Sequence, residues 1–428
     1  MKQKIFRFLA DLRFAIFILL VIASFSIIGT IIEQDQTIEN YKFNYPLTNP
    51  IFGFLSWNLI IKLGLDHIYK TWWFLTLIII FAISLLTCTF LQQLPSLIIA
   101  RRCQFFRKAN QFKKLKTTVD VKNPYLSQFI FRIKKNNYSI FQQKDILYCY
   151  KGLIGRITPI IVHFSMIIIL IGSMINSFIG FNAQEIVPKS ETFHIQNIFN
   201  TGILTKIPTT STRVNDFWIT YTKKTNIDQF YSNISILNNY GSEIKQQTIF
   251  VNHPIRYNNI VYYQTDWNLI GLRIRNNESK IFQYPLISPK IDGQKIWISS
   301  IPIISETKGF ENINILANNL QGYVSLYNKS GTFISNLEIN ETLHFPFLLT
   351  LVDFISSTGL QIKTDPGIFI VYWGFGLLMI STLISYSTYS QIWILKDQQK
   401  IFIGGNTTRA KFQFEFEMYK LTKKLYNL

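Results

Sequence analysis

One histidine lies inside an apolar stretch long enough to cross a membrane. His163 falls within the 28 residues from 157 to 184 that contain no Asp, Glu, Lys or Arg. An imidazole in a membrane span can relay protons, bind a metal or haem iron, or donate a hydrogen bond that packs helices together. Because polar groups are costly in hydrocarbon, each of these alternatives gives the side chain a specific partner.

Pro159 lies four residues before His163 and therefore on the same face of a helix. Proline has no amide proton, and its ring displaces the carbonyl four residues earlier, which belongs to Gly155. We therefore expect the helix to kink at this point. A bend beside a polar side chain favours a helix that lines a cavity.

The other four histidines are His67, His194, His253 and His344. Their spacing contains no HxxxH, HExxH or Cys/His cluster, so no metal site is predicted from them. For each of these residues we expect an ordinary surface or loop role.

The cysteines Cys88, Cys103 and Cys149 form no CxxC or CxxCH pattern, which argues against a thiol-redox motif and covalent haem attachment. No GxxxxGK[ST], GxGxxG or GxSxG motif is present, so nucleotide-driven and serine-hydrolase chemistry have no support. The scarcity of charges within the spans also counts against an ion-coupled transporter.

Four apolar blocks supply the elements that must position these residues. They predict membrane spans at 14–32, 72–91, 157–178 and 366–388. The first span has no small-residue cleavage site after it, so we expect it to be retained and 1–100 to form a transmembrane hairpin.

The ends of the spans carry boundary residues. Trp72 and Trp73 are aromatic anchors of the kind found at membrane interfaces, and Pro95 marks the end of the second span. In the sequence TDPG, Asp365 is placed to cap the free amides of the last helix, and Pro366 fits its first turn.

Residues 179–365 change character. Short alternating runs such as FWITYT, IVYYQT, KIWISSIPII and YVSLY are separated by clusters of Asn, Gly, Pro and Ser, as in a domain of short strands. A domain of this length can bury its own core. The predicted fold class is a polytopic α-helical membrane protein with four transmembrane helices and a large translocated β-rich, sandwich-like domain between helices three and four.

The net charge of +19 is unevenly distributed and indicates the orientation. Residues 1–13 carry 4 Lys and Arg against 1 acidic residue, 93–156 carry 14 against 2, and 389–428 carry 7 against 3. The 33–71 loop and the β-rich domain are nearly neutral. The positive-inside rule therefore predicts cytoplasmic or stromal termini, and no nucleic-acid partner is expected. All three cysteines then fall in the membrane or on the reducing side, and the translocated domain has no thiol.

Within the basic segment 101–156, residues 101–116 interleave phenylalanine with Lys and Arg. One interpretation is a helix lying on an anionic membrane surface, and the other is an ordinary cytoplasmic flank. We expect the segment 389–428 to be a polar, basic tail.

Several motifs resemble the ResB/CcsB family of cytochrome c biogenesis proteins. The segment VNHPIRYNNIVYYQTDW (251–267) is similar to that family's N-x-P…Y-Q signature, and 357–393 resembles its final segment. The second span and the VHFSM of the third also match. Phe369 departs from the pattern, because family members often carry proline there.

The resemblance implies a role in system II cytochrome c synthesis. A family member works with a CcsA-type membrane haem-handling protein to move haem b across the membrane to c-type apocytochromes. Because the translocated domain has no thiol, we expect another, lumenal thiol-reducing protein to keep the apocytochrome cysteines reduced. A third-span histidine of the family serves as an axial haem ligand, and the matching position is His163, about six residues or roughly 9 Å from the basic end of the span. Whether His67, His253 or His344 touches haem is left open.

The resemblance and an A+T-rich type of composition imply a plastid-encoded protein of the thylakoid membrane with stromal termini. The leading hypothesis is an accessory subunit of a cytochrome c haem lyase complex that is not itself an enzyme. A second is a membrane scaffold that binds no haem and presents apocytochrome to the synthase through its lumenal domain. A third is a membrane sensor, although no output domain is recognisable.

Overall fold

A computed structural model describes residues 2–51, 53–115, 117–122, 126–223, 226–276, 280–291, 294–305, 309–318, 320–344, 348–397 and 400–426. The α-helices within these residues are α1 (Lys2–Leu9), α2 (Leu12–Ile31), α3 (Ile38–Asn44), α4 (Trp57–Leu63), α5 (Trp72–Cys88), α6 (Leu94–Arg101), α7 (Ala109–Phe112), α8 (Leu126–Lys135), α9 (Ile154–Ile179), α10 (Ile368–Ile384) and α11 (Lys411–Tyr426). A 3-10 helix covers Leu65–Lys70, and a π-helical turn covers Thr89–Gln93.

The described strands are β1 (Thr117–Lys122), β2 (Ser139–Gln143), β3 (Ile146–Lys151), β4 (Phe181–Pro188), β5 (Thr192–Phe193), β6 (Ile198–Thr201), β7 (Ser211–Tyr221), β8 (Ile227–Leu237), β9 (Glu243–Phe250), β10 (Ile255–Tyr257), β11 (Ile260–Asn276), β12 (Lys280–Pro285), β13 (Lys290–Ile291), β14 (Gln294–Lys295), β15 (Trp297–Ser305), β16 (Gly309–Ala317), β17 (Tyr323–Tyr327), β18 (Phe333–Glu338), β19 (Thr342–Leu343), β20 (Leu349–Thr364), β21 (Ser390–Asp397) and β22 (Lys400–Thr407).

The chain divides into two compact units. The first comprises Met1–Ser177 and Gly367–Leu428, and the second comprises Phe178–Pro366. In the described residues the first unit holds the long apolar helices and one sheet, whereas the second is built from strands.

Three helical stretches in the described part of the chain are long and apolar enough to cross a membrane: Leu12–Ile31, Trp72–Arg101 and Ile154–Ile179. The helix Ile368–Ile384 is equally apolar but has only 17 residues, fewer than the ~20 of a typical span. The structure therefore shows a membrane-type helical part together with a β-rich domain.

The second of these stretches is longer than the sequence predicts. Helix α5 passes through the π-helical turn directly into α6 and reaches Arg101, rather than ending near Pro95. Pro95 lies in the first turn of α6, where its missing amide proton is tolerated. Because the proline cannot donate to the preceding turn, the hydrogen-bond ladder widens there instead of breaking.

Helices α9 and α10 approach each other at glycines. A Cβ atom on Gly172 would lie 2.7 Å from the Val371 side chain, and one on Gly374 would lie 2.6 Å from Ile169. Small residues that allow close backbone contact are typical of packing between membrane helices.

The N-terminus of α10 is stabilised differently from the sequence prediction. Its N-cap is Gly367, whose amide donates to Asn176 Oδ1 of α9 at 2.6 Å. Asp365 instead pairs with Lys363 at 3.2 Å, so the expected Asp365 cap was wrong. The helix begins two residues later than a cap at Asp365 would require, and a side chain from α9 satisfies its end.

An antiparallel five-stranded sheet in the first unit was not anticipated. Its strand order is β1-β22-β21-β3-β2, so strands that precede α9 pair with strands that follow α10. Helices α8 and α11 cover one face through a core that includes Phe129, Ile133, Phe414 and Met418. Much of the predicted basic segment 101–156 and of the predicted tail 389–428 thus folds together around one sheet.

The phenylalanines of 101–116 cover the opposite face of this sheet. Phe106 stacks on Trp393 with ring centroids 4.7 Å apart, and Phe112 is buried in the same cluster. The Trp393 indole donates to the Gln104 carbonyl at 2.8 Å. These rings pack on protein, which argues against the interpretation of 101–116 as a helix lying on the membrane surface.

The second unit consists of three main sheets. A seven-stranded sheet has the path β10-β11-β20-β4-β6, with β12 paired to β11 and β19 to β20. Two four-stranded sheets have the orders β5-β7-β8-β9 and β15-β16-β17-β18. The long strands β11 and β20 pair along most of their length and form the centre of the unit.

Two hydrophobic cores flank this pair of strands. One contains Ile260 and Ile362 with Ile234 of β8, and the other contains Leu272 and Leu351 with side chains of β15–β18. Each core lies between the seven-stranded sheet and one four-stranded sheet, as in a sandwich.

Candidate functional site

His163 lies near the middle of α9, where its half-buried imidazole meets the π-helical turn that follows α5. The Thr89 hydroxyl is 3.0 Å from His163 Nδ1, and it also donates to the Leu85 carbonyl at 2.7 Å. The ring also makes a hydrogen bond with the backbone of Leu85. The imidazole is therefore held on the side that faces the end of α5.

Apolar side chains surround this hydrogen bond. Met166 and Leu170 of α9 pack in a cluster with Phe81 and Leu85 of α5. This packing fixes the two helices against each other. It also lowers the local dielectric constant, which strengthens the polar contact at His163.

One face of α9 remains exposed beside the imidazole. Phe164 is 56% and Ile171 49% exposed, and their spacing of seven residues places them on the same side of the helix. His163 precedes Phe164 directly, so the imidazole lies at the border between the packed and the exposed surface. A second chain that packs on this face would lie beside the imidazole.

Arg156 lies two helical turns before His163 on the same side of α9, a rise of about 10 Å. Its Nη1 donates to the Ser96 hydroxyl at 2.8 Å, and its guanidinium lies 5.4 Å from the centre of the Tyr389 ring. Its Nε is buried without a hydrogen-bond partner in the described part of the chain. The guanidinium is thus anchored and keeps donors that could bind a carboxylate.

Burial raises the pKa of the Tyr389 hydroxyl above its ordinary value, and contact with Tyr148 adds to the effect. The two hydroxyls are 3.1 Å apart, and Tyr389 also donates to the Ala100 carbonyl at 2.9 Å. These buried neutral groups join the end of α6 to the sheet. They hold the ring on which Arg156 lies.

The other four histidines are all exposed and distant in sequence from this site. His67 pairs with Asp66 at 2.9 Å, and His253 stacks on Phe250 with centroids 4.6 Å apart. Within the described residues no group of three or more His, Cys, Asp or Glu could hold a metal ion. Among the described residues, none of these histidines therefore belongs to a candidate metal site with three ligands.

The signature segment 251–267 forms a hairpin and part of the second unit's core. Asn258 and Asn259 both have positive φ, 45° and 65°, in the tight turn between β10 and β11. Gln264 is 4% exposed, and its Oε1 accepts from the hydroxyls of Ser232 and Thr358. These residues hold the fold of the second unit.

Thr89 is the residue of the site that the sequence reasoning missed. Threonines in apolar helices commonly bond to a carbonyl of the preceding turn, so Thr89 has no distinguishing pattern of its own. The available signal was Pro95, because a proline soon after an apolar run predicts an irregular turn where a polar side chain can turn toward a neighbouring helix.

Comparisons with known proteins give a consistent family. The model of the ResB-like family matches residues 12–283 and 282–419. The chain is 66% identical to the cytochrome c biogenesis protein Ccs1 of Thalassiosira pseudonana, over 99% of this chain and 100% of that protein. It is 44% identical to the cytochrome c biogenesis protein CcsB of Trichormus variabilis, over 99% of this chain and 93% of that protein.

Among solved structures, the cytochrome c heme lyase CcmF aligns with a TM-score of 0.24 and 7% identity, covering 73% of this chain and 30% of that one. A likeness this low carries no argument about fold or function. The family match over nearly the whole chain is decisive by itself, and the chain belongs to the ResB-like family.

Proposed function

We propose that this protein acts in c-type cytochrome biogenesis at the haem-attachment step, as an accessory membrane subunit that receives haem and delivers it across the thylakoid membrane. His163 supplies one axial ligand to the haem iron through Nε2. The carrying observation is an imidazole in a membrane-spanning helix whose Nδ1 is held by Thr89, at the border of an exposed helix face. Haem iron accepts such a neutral imidazole.

The haem is cargo, and a second axial ligand has to come from elsewhere. The exposed strip of α9 next to His163, which includes Phe164, is the surface on which a CcsA-type haem-handling protein would pack. Arg156, two turns toward the basic end, is positioned to bind a haem carboxylate. Apocytochromes of c type and a lumenal thiol-reducing protein are the further partners.

The proposal includes α10 as a fourth span. Strands β1 and β3 precede α9, strands β21 and β22 follow α10, and the four pair in one sheet. If α9 crosses the membrane, this pairing requires α10 to cross back. Its 17 residues are short for a span, and local thinning of the bilayer accommodates such a helix at modest cost. Both termini are then stromal and the second unit is lumenal.

The alternative function is a membrane scaffold that binds no haem and presents apocytochrome through the second unit. The observation that favours it is the signature segment 251–267, which lies wholly in that unit. A scaffold tolerates His163→Ala and loses function when this segment is disrupted.

The test is a haem spectrum of the full-length protein purified with its CcsA-type partner. We expect wild type to retain haem with a bis-imidazole type spectrum and His163→Ala to lose most of it. His194→Ala, at an exposed histidine of the second unit, is the matched control and should retain wild-type haem. A His163→Ala complex with unchanged haem content and spectrum refutes the ligand assignment and leaves the scaffold function.

A further inference from the structure

The hydrogen bonds of Thr89 relate its hydroxyl to the tautomer of His163. A threonine hydroxyl has a single proton, which Thr89 can donate to the Leu85 carbonyl at 2.7 Å. In that arrangement the same oxygen accepts from His163 Nδ1, at 3.0 Å. Nδ1 then carries the hydrogen, and the lone pair of the neutral ring lies on Nε2.

We infer that Thr89 is a positioning residue for haem ligation, and this inference rests on the proposed function. The Nδ1–H···Oγ1 bond fixes both the tautomer and the rotation of the ring, so that Nε2 is ready to bind iron before haem arrives. A hydrogen bond from the ring nitrogen that does not bind the metal also makes a ligating imidazole a stronger electron donor to the metal.

The backbone around Thr89 supports a specialised role. Thr89 is the first residue of the π-helical turn, and its carbonyl accepts from the amide of Leu94 five residues later. Such single π-helical turns occur frequently at functional sites in helices. Here the wide turn lies directly opposite His163, and it is followed by Pro95.

Two other threonines on the same helix show that back-bonding alone does not create this arrangement. Thr76 donates to the Trp72 carbonyl at 2.7 Å and Thr87 to the Ile83 carbonyl at 2.9 Å. Both hydroxyls make the same type of bond to the preceding turn, and among the described residues neither has a hydrogen bond to an imidazole. Thr87→Val is therefore a control that removes a back-bonded hydroxyl two residues away.

The experiment compares Thr89→Val, Thr89→Ser and Thr87→Val in the full-length protein copurified with its partner. The readouts are haem occupancy and the reduction potential of the bound haem. Valine keeps the shape of threonine but cannot accept from Nδ1–H. We expect about tenfold weaker haem retention and a more positive potential.

Thr89→Ser keeps the acceptor and should behave like wild type, as should Thr87→Val. A double variant, Thr89→Val with His163→Ala, should show no loss beyond that of His163→Ala alone. Wild-type occupancy and potential in Thr89→Val overturn the inference, and so do additive losses in the double variant. If Thr89→Val does not accumulate, Thr89→Ala provides the same comparison against Thr89→Ser.

The two proposals fail in different ways. If wild type carries no haem, or if His163→Ala keeps the wild-type spectrum, the proposed function fails and the positioning role fails with it. If His163→Ala loses haem while Thr89→Val matches wild type in every readout, only the positioning role is wrong.

Discussion

Replacing Gln264 with leucine tests how the signature segment supports the second unit. The Gln264 side chain accepts from the hydroxyls of Ser232 and Thr358 and donates to the Asp266 carbonyl at 2.8 Å. The two hydroxyls are 2.8 Å apart and fully buried, so in Gln264→Leu one can donate to the other. One hydroxyl proton is then left unpaired in the core.

The cost follows from this count. One unsatisfied buried hydroxyl costs about 1–3 kcal/mol, and the lost bond to the Asp266 carbonyl about 1 kcal/mol. A total of about 3 kcal/mol corresponds to roughly a hundredfold larger opening constant, since about 1.4 kcal/mol is a factor of ten. For a unit of this size the melting temperature should fall by about 6–12 °C.

Hydrogen exchange of the full-length protein, followed by mass spectrometry, measures this opening directly. Peptides from β8, β11 and β20 should exchange about a hundredfold faster in Gln264→Leu, while peptides from the first unit should not change. Gln246→Leu is the control, because Gln246 is exposed and loses only one bond, to Asn233 Oδ1 at 2.9 Å. It should exchange like wild type.

A triple variant separates the unpaired hydroxyl from other effects. Adding Ser232→Ala and Thr358→Val to Gln264→Leu removes the unpaired donors and should recover most of the lost stability. Exchange within threefold of wild type in Gln264→Leu, or a triple variant less stable than the single one, would refute the reasoning. If Gln264→Leu opens the unit as expected, loss of cytochrome assembly in this variant reports on folding of the unit rather than on contact with apocytochrome.

Three further perturbations test the first unit. Gly172→Val should lower the melting temperature of the purified protein, because overpacking against Val371 costs about 1–3 kcal/mol. Gly376→Val is the control and should leave the melting temperature unchanged, because no neighbouring atom lies within 4 Å of a Cβ at that position. Equal melting temperatures of the two variants would contradict the close packing of α9 and α10. Arg156→Gln should lower haem occupancy about tenfold, whereas Arg156→Lys should retain most of it. Haem occupancy is measured with the pyridine haemochrome assay. Equal occupancy in both variants would exclude a contact between Arg156 and a haem carboxylate. Burial raises the pKa of the Cys149 thiol to about 12. At pH 8, iodoacetamide should therefore leave Cys149 unmodified until the protein is denatured. Prompt modification of Cys149 in the folded protein, detected by mass spectrometry, would contradict its burial.

The helical part and the β-rich domain follow largely from local sequence patterns. Uncharged runs identify α2, α5 and α9, and period-two alternation identifies many strands between Phe181 and Thr364. Each signal can be recognised within a window of about 20 residues. The environment of a span or a strand determines which of its own residues are apolar, so the pattern does not depend on distant parts of the sequence. The family resemblance that rests on 251–267 and the third span was likewise confirmed by the family match.

The five-stranded sheet could not be predicted in this way. Thr117 of β1 pairs with Gly405 of β22, and Ile146 of β3 pairs with Leu395 of β21, so the pairing spans most of the chain. Each strand is short and surrounded by lysine and arginine, which mimics an ordinary basic flank. The strands that precede α9 and those that follow α10 meet because the start of α9 lies next to the end of α10. This proximity exists only in the folded protein, so a local sequence pattern cannot show it.

The same sheet explains why His163 is held on a rigid element. Strand β3 leads into α9 through Gly152, whose φ of +76° and contact with the Thr388 carbonyl leave no space for a side chain. Farther along α9, Asn176 binds the first amide of α10. The helix is therefore tied to α10 near both ends and to the α5 stretch by Thr89 and Ser96 in between. Because the helix is rigid, the His163 side chain keeps its geometry without haem. The single hydrogen bond with Thr89 can then set the orientation of the His163 ring.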